Sequence, residues 1–158
     1  MRLRPLTDDD RAMLREACLV NMNWVEPRFS LQDLDDRPDL AHYYSAFDAS
    51  RDFGFAAVEG DAVLAVAWVV FLPADDPGYG FVDASTPELS ITAFEGHRGR
   101  GLGSSVLDAV VDEARRRGIP GISLSVEDGN RARHLYERAG FRVVGRNGNA
   151  DTMRLELG

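Results

Sequence analysis

The segment that most constrains the fold runs from residue 89 to residue 126. A short apolar strand over 89–94 leads into a glycine-rich turn. An amphipathic helix over 101–117 follows, and then a second apolar strand over 119–126. Val106, Leu107, Val110, Val111 and Ala114 recur at helical spacing and form one apolar face. Arg115, Arg116 and Arg117 fall in the last turn, where cations oppose the negative end of the helix dipole, and Gly118 supplies the stop. A further short helix is expected over 130–139, ended by Gly140, with closing strands over 141–145 and 152–157. Strands that alternate with helices call for a mixed α/β sheet rather than a helix bundle or a β-sandwich.

The first half is less regular. Residues 2–4 alternate as a short strand. Thr7 offers an N-cap, and Asp8, Asp9 and Asp10 put negative charge in a first helical turn. Met13, Leu14, Ala17 and Cys18 continue a helical stripe to about Val20. Residues 21–38 read as irregular, with a second helix starting near Ser30 or Pro38. Residues 53–59 and 62–72, joined by Gly60-Asp61, read as a hairpin. Residues 73–87 form a loop rich in Asp, Pro and Gly. No repeat, low-complexity tract or linker interrupts the chain, so one domain over 1–158 is expected.

Composition excludes several functions. All 18 basic residues are arginine. Without lysine there is no side-chain amine for Schiff-base chemistry and no triphosphate-loop lysine. A net charge of −8 argues against non-specific binding to nucleic acid or to an anionic membrane. The longest apolar run, 62–72, falls far short of the roughly 20 residues that a membrane span needs. The N-terminal residues lack the apolar stretch of a signal peptide, so a cytoplasmic protein is expected. Cys18 is the sole cysteine and is expected to be a buried structural thiol. His42, His97 and His134 show no metal-ligand spacing, and no metal is expected.

The turn Arg98-Gly99-Arg100-Gly101-Leu102-Gly103 gains its meaning from lying between a strand and a helix. Glycines let backbone N–H groups turn toward an anion, and the helix adds its unpaired N–H groups and positive dipole end. Ser104 and Ser105 add hydroxyls. The dinucleotide fingerprint fails: the sixth position is Ser104 counted from Gly99 and Val106 counted from Gly101. The turn reads either as a cradle for phosphate or pyrophosphate, or as a helix entry that uses glycine only for packing.

The run Arg98-x-x-Gly101-x-Gly103 resembles the pyrophosphate signature, Q/R-x-x-G-x-G/A, of GNAT-type N-acetyltransferases. A second block agrees: Ser125-Val126-Glu127-Asp128-Gly129-Asn130, followed by Leu135-Tyr136 and Gly140-Phe141, resembles the family's strand–Asn–helix–Leu-Tyr–Gly-Phe segment. The specific match covers about residues 88–144. It implies an α/β fold of the α+β type: a mixed, largely antiparallel sheet of six or seven strands with a splayed parallel pair, flanked by about four helices.

The resemblance also implies a chemistry, which is acetyl transfer from acetyl-CoA to an amine by direct attack in a ternary complex. Ile91, Thr92 and Ala93 would pair through their backbone with the pantetheine arm. The turn from Arg98 and Gly99 through Arg100, Gly101, Leu102 and Gly103 to Ser104 would hold the pyrophosphate. Asn130 would bond the pantetheine or acetyl end. Tyr136 would protonate the departing thiolate, and Glu88 is the first candidate base, ahead of Asp83 and Glu127. Ser125 stands where some protein-acetylating members carry glutamate, which favours a small primary amine as acceptor. Trp24, Glu26, Phe29, Asp33, Asp35, Asp36, Tyr43, Tyr44, Tyr79, Phe81 and Asp83 are the candidate acceptor lining, or else ordinary core aromatics and surface acids. A homodimer through C-terminal edge strands fits the resemblance. A non-catalytic acyl-CoA sensor, a protein acetyltransferase and an ATP- or NAD-binding protein are the alternative readings.

Overall fold

The structure, a computed structural model, describes residues 1–158. Its strands are β1 (Arg2–Pro5), β2 (Phe53–Glu59), β3 (Ala62–Val70), β4 (Glu88–Ala93), β5 (Gly121–Glu127), β6 (Arg142–Asn147) and β7 (Ala150–Glu156). Its helices are α1 (Arg11–Met22), α2 (Leu31–Asp35), α3 (Pro38–Ser45), α4 (Leu102–Arg116) and α5 (Ala132–Ala139), with a 3-10 turn at Asp8–Asp10. The sheet order is β1-β2-β3-β4-β5-β7-β6. Pairs β1–β2, β2–β3, β5–β7 and β6–β7 are antiparallel, and β4–β5 is parallel. This is the expected mixed sheet, with five α-helices where about four were expected. The chain divides into two compact units, Met1–Val70 with Ser90–Val110, and Phe71–Leu89 with Val111–Gly158.

In the first unit, β1, β2 and β3 form a meander. Almost every residue of β3 is buried, as its unbroken apolar run predicts for a strand covered on both faces. Trp68 is fully buried, and its indole N–H donates to the Tyr43 carbonyl at 2.9 Å. Gly54 makes room for it, because a Cβ there would lie 2.6 Å from the Trp68 Cβ. Thr7 and Asp10 form a capping box, and Arg4 grips the Asp10 carboxylate through two nitrogens at 2.9 and 2.8 Å. Both candidate helix starts are real. Ser30 and Asp33 cap α2 reciprocally, and Pro38 opens α3 at a position where its missing N–H costs nothing.

In the second unit, β5 pairs with β7 in the register Ile122↔Leu155 and Leu124↔Met153. Ile122, Leu124 and Val126 alternate with Ser123, Ser125 and Glu127, so one face of β5 is apolar and the other polar. Gly118 and Gly140 end α4 and α5 in left-handed conformations, with φ of 73° and 104°. In each case the following amide closes back onto the helix, Ile119 to the Ala114 carbonyl and Phe141 to the Tyr136 carbonyl, both at 3.0 Å.

Some boundaries differ from expectation. The strand expected over 62–72 ends at Val70, ahead of Pro73. The strand expected over 119–126 begins at Gly121, because Pro120 has no N–H to give a ladder. The helix expected from Asn130 begins at Ala132, with Arg131 at the N-cap position and Asn130 in the turn before it, where its Oδ1 accepts from the Ala132 amide.

Candidate functional site

The first unit carries the glycine turn. Gly99 and Gly101 have φ of 78° and 74°, and a Cβ on either would meet nothing within 4 Å. Packing is therefore not why glycine stands at these two positions. The left-handed backbone is the reason, and a backbone of that kind can present amides to an anion. α4 runs for 15 residues, long enough for a full dipole. Arg98, Gly99, Arg100 and Gly101 are exposed, Leu102 is buried, and Gly103 and Ser104 are half-buried. The Ser105 hydroxyl is spent on the Gly101 carbonyl at 3.1 Å, so it stiffens the turn rather than facing an anion. Arg100 lies 2.9 Å from His97 Nδ1.

Ile91, Thr92 and Ala93 lie on β4 in the same unit. Ile91 and Ala93 are half-buried and Thr92 is 2% exposed. The Thr92 hydroxyl donates to the Asn21 side chain at 2.8 Å and lies 3.2 Å from the Ala17 carbonyl, tying β4 to α1. Asn21 is thus bonded to a candidate site residue, a link that the sequence does not show because nothing local to residue 21 signals its partner.

The carboxylates proposed to line an acceptor site are mostly engaged. Asp33 caps Ser30 at 2.8 Å, and Asp36 accepts from Gln32. Asp35 takes a bidentate pair from Arg15 and a 2.5 Å bond from the Tyr44 hydroxyl. The Arg15 bond and the Tyr44 bond hold the Asp35 carboxyl below its ordinary range. For these residues the structural reading is the better one.

The second unit carries Glu88, Asn130 and Tyr136. Glu88 is 5% exposed, and its Oε1 accepts from the Gly80 amide at 3.2 Å. It sits in register with Ser123 of β5, the only register pair of the parallel ladder. Asp83 accepts from Ser85 and from the Thr86 hydroxyl, and these bonds hold its carboxyl below the ordinary range, so it is a poor base. Glu127 accepts from Asn149 at 3.4 Å.

Tyr136 is buried beside Phe141, with ring centroids 5.9 Å apart. Burial alone pushes its phenol up to about 12, so it keeps its proton at neutral pH and stands in the donor form. Asn130 Oδ1 accepts from the Ala132 amide at 2.9 Å, which leaves the side-chain NH2 as the end able to donate elsewhere. Asp151 braces this corner. It binds Arg133 of α5 at 2.7 Å and Arg146 of β6 at 2.9 Å, and Arg146 also binds Asp128. No group of three His, Cys, Asp or Glu side chains is arranged to hold a metal, and no helix is long and apolar enough to cross a membrane.

Comparison with known proteins adds four findings. The sequence profile of the acetyltransferase (GNAT) family matches residues 18–141. An L-methionine sulfoximine/L-methionine sulfone acetyltransferase of Pseudomonas paraeruginosa is 33% identical over 109 residues; the match spans 68% of this chain and 62% of that relative's length. Among solved structures, yncA of Salmonella typhimurium, determined with its cofactor acetyl-CoA, superposes with a TM-score of 0.70 at 23% identity, over 100% of this chain and 94% of that one. The PaiA N-acetyltransferase of Thermoplasma acidophilum, in complex with coenzyme A, gives 0.66 at 15% identity, over 99% of each chain. At these identities the two structures speak for the fold.

Proposed function

Since the chain belongs to the acetyltransferase (GNAT) family, we propose that it is an acetyl-CoA-dependent N-acetyltransferase acting as a single domain over 1–158, with a small primary amine as acceptor. The observation that carries this reading is the turn at Gly99 and Gly101. Both glycines adopt left-handed backbone in open space ahead of a long helix, an arrangement suited to a pyrophosphate and wasteful for packing. The methionine sulfoximine acetyltransferase relatives support a small amine of amino-acid type.

Acetyl-CoA supplies an activated acetyl thioester. The residues of this chain bind and manage protons. Backbone amides from Gly99 to Ser104 hold the pyrophosphate, with Arg98 and Arg100 adding positive charge. Ile91, Thr92 and Ala93 offer backbone groups to the pantetheine arm, and the Asn130 NH2 bonds the same ligand. Glu88 receives the proton that the attacking amine must lose, and the Tyr136 hydroxyl gives a proton to the leaving sulfur. A cytoplasmic location and a homodimer complete the reading. The second is supported by β6, which ends the sheet with Val143 and Val144 exposed. A monomer by light scattering would remove the homodimer.

The test is a calorimetric titration with acetyl-CoA, with ATP and NAD as controls, followed by thiol release with a panel of amino acids and small amines. Selective binding of acetyl-CoA and amine-dependent thiol release are expected. Binding without release by any amine would favour a sensor. No response to acetyl-CoA would overturn the reading.

A further inference from the structure

Gly80 is an unremarkable residue in the sequence, one glycine among several in a polar loop. Its surroundings are specific. β4 meets β5 at the register pair Glu88↔Ser123, with the Ser123 amide donating to the Pro87 carbonyl at 3.0 Å. The next residues of β5 are approached from the loop itself. A Cβ on Gly80 would lie 2.4 Å from the Leu124 carbonyl carbon, 2.6 Å from its oxygen and 2.7 Å from the Ser125 nitrogen. These are backbone atoms of a strand paired along its length with β7, so they cannot step aside. Unlike Gly99 and Gly101, Gly80 has no left-handed φ. The demand here is purely for space.

From that wedge the Gly80 amide donates to Glu88 Oε1. Glu88 is nearly sealed from solvent, and the hydroxyl of its register partner Ser123 is buried with no protein partner. In a parallel pair, residues in register point to the same face, so the carboxylate and the hydroxyl share one buried polar face. The loop is braced by its own bonds: the Phe81 amide to the Gly78 carbonyl, the Thr86 amide to the Asp83 carbonyl, and the Ser85 and Thr86 hydroxyls to the Asp83 carboxylate. The amide is therefore held in place by the protein alone, before any ligand arrives.

We propose that Gly80 is the positioning residue for Glu88: its missing Cβ lets the loop seat against Leu124 and Ser125, and the seated amide holds the carboxylate in the orientation that receives the amine's proton. This rests on the acetyltransfer reading. Rotation of the carboxylate away from this amide would move its oxygen from the position that receives that proton, and misplacement by about 1 Å can cost on the order of 10²-fold in rate.

The experiment is a double-mutant cycle with Gly80→Ala and Glu88→Gln, read as kcat and KM, together with amide hydrogen exchange at Gly80. Gly80→Ala is expected to lower kcat about tenfold or more, with KM for acetyl-CoA within about twofold. In the Glu88→Gln background the same change should alter kcat by less than about twofold, as for residues that act as a unit. Equal losses in both backgrounds, or a loss confined to KM, would overturn the proposal. The exchange arm leaves Gly80 intact and so survives a Gly80→Ala variant that fails to fold. Glu88→Ala should speed exchange of the Gly80 amide about tenfold or more, and unchanged exchange would overturn the contact. A wild-type protein with no acetyl transfer would overturn the acetyltransfer reading, while the exchange arm would still decide the Gly80–Glu88 bond by itself.

Discussion

The Thr92 hydroxyl donates to Asn21 Oδ1 at 2.8 Å, joining β4 to the last turn of α1. Thr92 is almost wholly buried, and the Ala17 carbonyl lies 3.2 Å from the same hydroxyl. Thr92→Val keeps the shape but removes the donor, leaving Asn21 Oδ1 without this partner. A loss of about 1–3 kcal/mol is expected, read by denaturant unfolding. Thr92→Ser should recover most of it. A Thr92→Val protein as stable as wild type would show that water satisfies Asn21 equally well.

Gly101 tests the turn without a steric confound. Alanine at φ 74° is strained, yet it touches nothing within 4 Å. Gly101→Ala should lower Tm through a backbone cost of about 1–2 kcal/mol, and to the extent that the strained turn relaxes out of its left-handed conformation the same cost appears as up to about tenfold weaker acetyl-CoA binding. Gly60, at φ 59° in the β2–β3 turn, is the control. Gly60→Ala should lower stability and leave acetyl-CoA affinity unchanged. Calorimetry on both variants decides.

Tyr136→Phe separates proton donation from binding. An expected fall of roughly 10²-fold in kcat should come with acetyl-CoA affinity preserved. The same variant reports on alkaline stability. Burial raises the folded phenol to about 12, against about 10 when unfolded. Below pH 10 both states keep the proton and the stability contribution is intact. It is lost as pH rises from about 10 through about 12, because only the unfolded state ionises readily. Tyr44 is raised to about 12 as well, by burial and its bond to Asp35, and remains in the variant. Unfolding curves at pH 9 to 11 should thus fall less steeply for Tyr136→Phe than for wild type.

Cys18 should be inert in the folded protein. It is buried, and burial pushes its thiol up to about 12. At pH 8 alkylation of the native protein should run on the order of 10²-fold or more below that of the denatured chain. Rapid stoichiometric labelling of native protein would contradict the burial.

Much of the fold was legible because its signals are local. The capping box at Thr7 and Asp10, the stops at Gly118 and Gly140, and the apolar face of α4 each lie within a few residues of the structure they specify. Ser30 and Pro38 looked like rival starts for one helix because each carries a sound initiation signal; both are used. α5 starts two residues later than the sequence suggests, because Asn130 belongs to the turn ahead of the helix and bonds the Ala132 amide from there, which its residue type alone does not distinguish from a first helical position. The candidate carboxylates were harder. Asp33, Asp35, Asp36 and Asp83 share one composition and one neighbourhood, but their hydrogen bonds assign them to caps, an ion pair and a turn.

The sequence by itself determined the element types, their capping, the helix stops and the two motif blocks that point to the family. Each of those rests on interactions spanning a handful of residues, so the order of side chains along the chain suffices. The tertiary structure alone decided the strand order, the tie between Thr92 and Asn21, the space that Gly54 yields to Trp68, and the seat of Gly80 against Leu124. Those depend on which distant segments meet once loops close. A glycine that is needed because another strand's backbone lies 2.4 Å from its absent Cβ reads in sequence like any other glycine.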